Sequence, residues 1–181
     1  MAAKHYDFLI IGGGIVGCAI AWQLRRLAPQ KSVALIEKNS IGSGSTSRSA
    51  AAFRHQFSSR GNILLSQIAY ETYSELGALF GIEDGGFREH GYLLVYTNPD
   101  AFATAEQRAR RQARAGVPVE VLSPKAVDEL PRVKGFFDTD ALCGATWCAR
   151  DGFLDPLLAA QTFFQGARAL GAELITATAC S

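Results

Sequence analysis

Three glycines, Gly12, Gly14 and Gly17, stand at G-x-G-x-x-G spacing, and an acid, Glu37, follows 20 residues beyond the last of them. Residues of these types in this order suit the phosphates and ribose of a dinucleotide. Gly12 permits a sharp turn, Gly14 lets backbone N–H groups approach a pyrophosphate, and Gly17 lets a helix pack close to a strand. The N-terminus of that helix then turns unpaired N–H groups and the positive end of its dipole toward the phosphates. Glu37 is placed to accept hydrogen bonds from a ribose, and its charge repels a 2′-phosphate.

Such chemistry needs a strand, a turn, a helix and a second strand in sequence. Residues 8–11 (FLII) are a short apolar run that reads as a buried strand. Val16, Ile20, Leu24 and Leu27 recur with helical period, Arg25 and Arg26 sit at the negative end of the dipole, and Pro29 closes the helix. Residues 32–36 (SVALI) read as the second strand, with Glu37 at its end. The expected fold is α/β, a Rossmann-like FAD/NAD(P)-binding domain. The alternative, a glycine-rich turn with an unrelated surface Glu, does not account for all five features in order.

Bulk properties narrow the class further. The 181 residues are 48% hydrophobic and 19% charged with a net charge of +1, enough to bury a core and without a basic block for nucleic acid or an anionic membrane. Cys18, Cys143, Cys148 and Cys180 show no paired CxxC spacing and have no histidine nearby in the chain, which predicts no metal site and no disulfide framework. Reduced thiols point to the cytoplasm. The uncharged run 8–24 is long enough to suggest a membrane span, but its three adjacent glycines and the acid-ended strand after it predict none. The short stretch ahead of it predicts neither a secretion signal nor an Arg-rich transit peptide.

Farther along, residues 41–49 form a loop of small and hydroxyl residues, and residues 62–80 predict a long amphipathic helix with Leu65, Ile68, Ala69, Thr72, Leu76 and Leu79 on one stripe and Gly81 as its stop. From residue 86 the pattern changes. A strand over 91–97, an Arg-rich helix over 101–115, a strand over 119–122, a short helix opened by Ser123-Pro124 and a strand over 141–148 predict an inserted α+β segment. Arg108, Arg110, Arg111 and Arg114 read as a solvated helix face. Asp155, Pro156 and Gly171 mark a helix as N-cap, first residue and terminator, and residues 173–178 predict a third strand of the first sheet. The predicted division is a dinucleotide-binding βαβ region over 1–85, an inserted second-domain segment over 86–150, and a return to the first domain over 151–181.

FLIIGGGIVG at 8–17, LIEK at 35–38, GSGSTSR at 42–48, FRHQF at 53–57 and DGFLDP at 151–156 together resemble the amino-terminal portion of FAD-dependent amine oxidoreductases of the D-amino-acid oxidase superfamily. Sarcosine oxidase and dimethylglycine dehydrogenase are the most similar types. The first two pieces are shared by many FAD and NAD proteins; the Ser/Thr loop followed by Arg-His and the Asp-Gly-x-x-Asp-Pro return are more specific. The resemblance implies that Gly12, Gly14, Ile15 and Val16 hold the pyrophosphate and that Glu37 binds the adenosine ribose with Lys38 beside it. It places Ser45, Thr46 and Arg48 along the pyrophosphate and flavin. It makes Arg54 the group for a substrate carboxylate and His55 a candidate catalytic residue, although a packed histidine is the commoner outcome.

The implied activity is oxidation of the C–N bond of an amino acid or N-methyl amino acid by hydride transfer to flavin, with a small amino acid or secondary amine as partner. Dimethylglycine dehydrogenase types carry a covalent flavin on a His after the Ser-Thr pair; Arg48 stands here instead, so non-covalent FAD is expected. Family members are also much longer, which predicts a truncated chain, a missing carboxy-terminal half or a partner chain. Two alternatives stay open at this point, a non-catalytic FAD-binding subunit and an NAD-dependent dehydrogenase.

Overall fold

Strands, turns and helices over residues 4–176 are described by a computed structural model. They divide into two units. The first holds residues 1–51, 75–87 and 154–181; the second holds 52–74 and 88–153. The boundary expected at 85 is therefore shifted, and residues 52–74 group with the inserted segment.

In the first unit β1 (Phe8–Ile11), α1 (Ile15–Leu27) and β2 (Val33–Glu37) make the expected strand–turn–helix–strand. No third strand of this sheet follows β2 directly. Instead, β9 (Glu173–Thr176) pairs in parallel with β2 after the long excursion, giving the sheet order β1-β2-β9. Residues 177 and 178 of the predicted third strand lie outside the described residues. Helix α6 (Pro156–Ala169) is capped as its sequence predicts: the Asp155 carboxylate accepts from the N–H groups of Leu157 and Leu158, and Gly171 has φ +92°.

The core of this unit uses a different face of α1 from the one its periodicity suggests. Gly17, Cys18, Ala21 and Trp22 are buried, while Val16 is 68% and Leu27 81% exposed. Trp22 stacks against Phe80 of α3 (Leu76–Phe80) and Phe163 of α6, with ring centroids 5.0 and 5.3 Å away. Both sides of α1 are apolar, so spacing alone cannot say which meets the core. At the sheet edge, Phe8 N–H donates to Ser32 O and Gly12 N–H to Ile36 O. The alternation of a parallel ladder then turns the N–H and C=O groups of Leu9 and Ile11 away from β2.

In the second unit the predicted 62–80 helix is broken. It becomes α2 (Arg60–Ser74) and the separate α3 of the first unit, with Leu65 and Ile68 exposed and Ile63 and Ser66 buried. Ile63 joins Val117 and Cys148 in the core, and that contact assigns α2 to the second unit. An antiparallel sheet β5-β7-β6 is built from Tyr92–Tyr96, Gly144–Cys148 and Val119–Leu122, with Thr146 of β7 opposite Leu94 and Val121. Helix α4 (Pro99–Arg114) is N-capped by Asn98 and buries Ala105, Ala109 and Gln112; α5 (Pro124–Asp128) is capped by Ser123. A small sheet β3-β8-β4 joins Ala52–Phe53, Gly152–Leu154 and Phe87–Glu89. None of its strands is long enough to show a period in the sequence.

Candidate cofactor and substrate sites

The glycine turn between β1 and α1 leaves little room for a side chain at Gly13, Gly14 and Gly17, and at Gly12 the constraint is the backbone conformation. Gly12 has φ +107°, a region side chains avoid, and its N–H continues the ladder to Ile36. A Cβ on Gly17 would lie 2.0 Å from the Gly12 carbonyl oxygen, so helix and strand meet here at backbone distance. A Cβ on Gly14 would press on Thr46 Oγ1 at 3.0 Å, and one on Gly13 would meet Ile41 Cδ1 at 2.7 Å and the Glu37 side chain at 3.0 Å.

Glu37 turns back onto this loop. Its Oε2 accepts from Gly13 N–H at 2.7 Å and its Oε1 from Asn39 N–H at 2.8 Å. These bonds, Asn39 first and Gly13 second, hold the carboxyl below its ordinary pKa, so it is ionised at neutral pH. Thr46, buried in the loop over 41–49, accepts from Ile15 N–H at 3.0 Å, and Gly42 N–H donates to the Gly13 carbonyl. The Ser/Thr loop therefore meets the first turn of α1. Gly14 is the N-cap and supplies no side chain, leaving the other first-turn N–H groups without a capping partner.

The remaining predicted cofactor residues sit less deeply. Val16, Lys38, Ser45 and Arg48 are exposed, and Arg48 Nε donates to Gly44 O within its own loop. Gly13 was hidden in the sequence as a variable position of the fingerprint; the uninterrupted run of three glycines was the signal that it too is constrained. A bare backbone, an ionised acid and an open helix N-terminus in one place fit the adenosine and pyrophosphate of FAD.

In the second unit, Arg54 and His55 diverge. His55 is 2% exposed; its Nδ1 and its backbone N–H each lie 2.7 Å from Asp151 Oδ1. Its ring packs edge-on against Phe53 and at a tilt against Tyr70. Cys148 completes a buried trio with donor atoms within 4.8 Å of one another. The thiols, without a histidine nearby in the chain, thus have one nearby in space. Burial and the Asp151 charge push the Cys148 thiol up to about 12, so it is protonated and bonded to the carboxylate. Asp151 is consumed by His55, Cys148 and Gln56, and the trio serves to anchor the 53–57 segment. Arg54, the next residue, is exposed, with its guanidinium over the Phe57 ring at 5.0 Å.

The sequence profile of the FAD dependent oxidoreductase family matches residues 7–181. The chain belongs to that family. Within it, the chain is 30% identical over 183 residues to a glycine oxidase of Bacillus licheniformis, covering 97% of this chain and 46% of that one. It is 28% identical over 126 residues to the sarcosine oxidase subunit beta of Rhizobium meliloti, covering 70% and 30%. Among solved structures, the L-proline dehydrogenase of P. horikoshii superposes with a TM-score of 0.84 at 29% identity, covering 96% of this chain and 44% of that one. The chain spans between about a third and a half of the length of these relatives. As a member of an FAD family, it takes FAD, and the NAD alternative is set aside. No helix among the described residues is long and apolar enough to cross a membrane.

Proposed function

We propose that this chain is the FAD-binding part of an oxidoreductase acting on the C–N bond of an amino acid or N-methyl amino acid. The observation that carries the cofactor half is the pairing of Glu37 with the glycine turn: an ionised acid aimed at the loop that a pyrophosphate must approach. Gly12, Gly14, Ile15, Val16 and Gly17 would hold the pyrophosphate, Glu37 the adenosine ribose with Lys38 alongside, and Ser45, Thr46 and Arg48 the stretch toward the flavin. When bound, the flavin supplies the electron acceptor for the oxidation. The chain's own residues bind and orient. Arg54 offers a planar fork to the substrate carboxylate, and His55, locked by Asp151, positions the segment that carries it.

The substrate class is supported by the glycine, sarcosine and proline named in its relatives. A second reading is favoured by the sarcosine oxidase subunit beta among its relatives: the chain holds FAD, and a partner polypeptide completes the reactive site. Absorbance and turnover separate the two. A yellow protein that oxidises glycine, sarcosine or proline supports the first. A yellow protein that is idle until a partner is added supports the second, and a colourless protein with no affinity for FAD refutes both. In an active form, Arg54→Lys should weaken carboxylate substrates and carboxylate inhibitors together while flavin content stays normal. Loss of flavin instead would move Arg54 to the cofactor shell.

A further inference from the structure

Arg54 does not stand alone. It lines a cavity of about 240 Å³ in the second unit, and Arg108 of α4 lines the same cavity. The Arg-rich face of α4 is therefore not uniform. Arg108 falls one turn from Ala105 and Gln112, beside the buried side of the helix, whereas Arg110, Arg111 and Arg114 are read as solvated. The floor is polar and fixed. Thr146, at the centre of the sheet, donates its hydroxyl to Gln56 Oε1; Gln56 Nε2 donates to Tyr92 O; Gln112 Nε2 donates to Phe57 O. All three floor side chains are more than nine-tenths buried.

These groups have hydrogen-bond partners, whereas Arg54 has only the Phe57 ring beneath its guanidinium. Among the described residues, neither guanidinium has a hydrogen-bond acceptor or an acidic partner, and no carboxylate lines the cavity. Two exposed guanidinium groups with no acidic partner, over a fixed amide and hydroxyl floor, suit a ligand carrying two negative charges. The volume equals about eight waters' share of the liquid, room for a short-chain molecule. Each planar guanidinium fork matches a carboxylate. The α4 residues that line it come from the middle and last turns, so the N-terminus of that helix does not contribute, and Ser58, just ahead of α2, leaves phosphate as the competitor to be tested.

We propose that this cavity binds a small dicarboxylate, Arg54 taking one carboxylate and Arg108 the other. The assignment rests on the carboxylate role proposed for Arg54 and extends it, making Arg108 the residue that selects a substrate with a second acid group.

The test is calorimetric titration of the full chain with glutarate, butyrate and inorganic phosphate at one ionic strength, with FAD affinity measured alongside. Glutarate should bind at least about tenfold more tightly than butyrate, as one added charge-assisted contact provides. Arg108→Gln should reduce glutarate to the affinity of butyrate, leaving butyrate and FAD unmoved, and Arg54→Gln should weaken both acids. Arg108 is exposed and Gln is a good helix former, so the fold should survive; Arg108→Lys, which keeps the charge without the fork, should fall between. Equal affinity for glutarate and butyrate, an unchanged ratio in Arg108→Gln, or tighter binding of phosphate than of glutarate overturns the assignment. A chain that prefers glutarate in this way yet holds no FAD refutes the proposed function alone. A yellow, amine-oxidising protein indifferent to Arg108 refutes only the dicarboxylate site.

Discussion

Replacing Gly17 by alanine sets two physical effects against each other. In a helix interior, Gly→Ala is worth about 1 kcal/mol in favour of alanine. Here the new Cβ would sit 2.0 Å from the Gly12 carbonyl oxygen and 3.2 Å from its carbon, and must retreat by about 1 Å to reach the 3.0 Å below which such contacts essentially do not occur. The obstacle is backbone, which has no rotamer to change, and Gly12 is itself held by its bond to Ile36. Overpacking of this kind costs about 1–3 kcal/mol, occasionally more, and an obstacle that cannot rotate belongs at the upper end. The expected net loss is about 2 kcal/mol. With a urea slope of about 2 kcal/mol per molar, the midpoint followed by circular dichroism should fall by about 1 M. FAD affinity should fall as well, because the helix can move only by opening the turn.

Two companions isolate the cause. At Gly61, in the first turn of α2, a Cβ meets nothing within 4 Å at an ordinary φ, so Gly61→Ala should be neutral or stabilising. At Gly12 there is space but φ is +107°, so Gly12→Ala should lose about 1–2 kcal/mol by strain alone. If Gly17→Ala proves as stable as Gly61→Ala, the backbone contact between helix and turn does not exist and the packing derived from it is wrong.

Other outcomes follow from single groups. Glu37→Ala should weaken FAD by about 1.5–3 kcal/mol in a cofactor titration, and unchanged affinity would count against the ribose role. Because the folded pKa of Glu37 is held below its ordinary 4.5, its stabilisation is complete above that value and is lost as pH falls through the lower folded one. The stability gap between the parent chain and Glu37→Ala should therefore be flat above pH 4.5 and close only in stronger acid; a gap that closes near neutrality contradicts the hydrogen bonds. Asp151→Ala should lose about 3–5 kcal/mol in urea, since it leaves buried His55 donors and a buried amide without their acceptor; a loss below about 1 kcal/mol would show that the trio does not anchor the segment. Cys18 and Cys148, buried and pushed up to about 12, should resist alkylation of the native protein at pH 8, while the partly exposed Cys143 reacts; peptide mapping showing equal labelling would contradict their burial.

What the sequence made legible was local. The strand–glycine turn–helix at 8–27 and the caps at Ser123-Pro124 and Asp155-Pro156 depend on a few adjacent residues, and each took its expected form, whereas Asn98-Pro99, outside the helix expected from 101, caps and opens α4. The choice between two apolar faces was not legible. Val16 and Ile20 have the same helical spacing as a buried stripe, and only the arrival of Phe80 and Phe163 shows that Trp22 lies on the core side. The same ambiguity misdirected the stripe through Leu65 and Ile68. Pairings across long separations were also invisible: His55 and Asp151 are 96 residues apart, and Arg54 meets Arg108 only through the cavity they share.

The outer edge of β1 has a consequence for anyone handling the chain by itself. In this four-residue apolar strand Leu9 and Ile11, 54% and 69% exposed, turn their amide and carbonyl groups outward with no strand partner among the described residues, and no lysine, proline or bulge within the strand blunts them. An edge of that kind is a template on which a second molecule can register, strand against strand. Self-association should therefore set the concentration at which the chain can be kept in solution, and an added kosmotropic salt such as sulfate, which strengthens apolar burial, would lower that concentration.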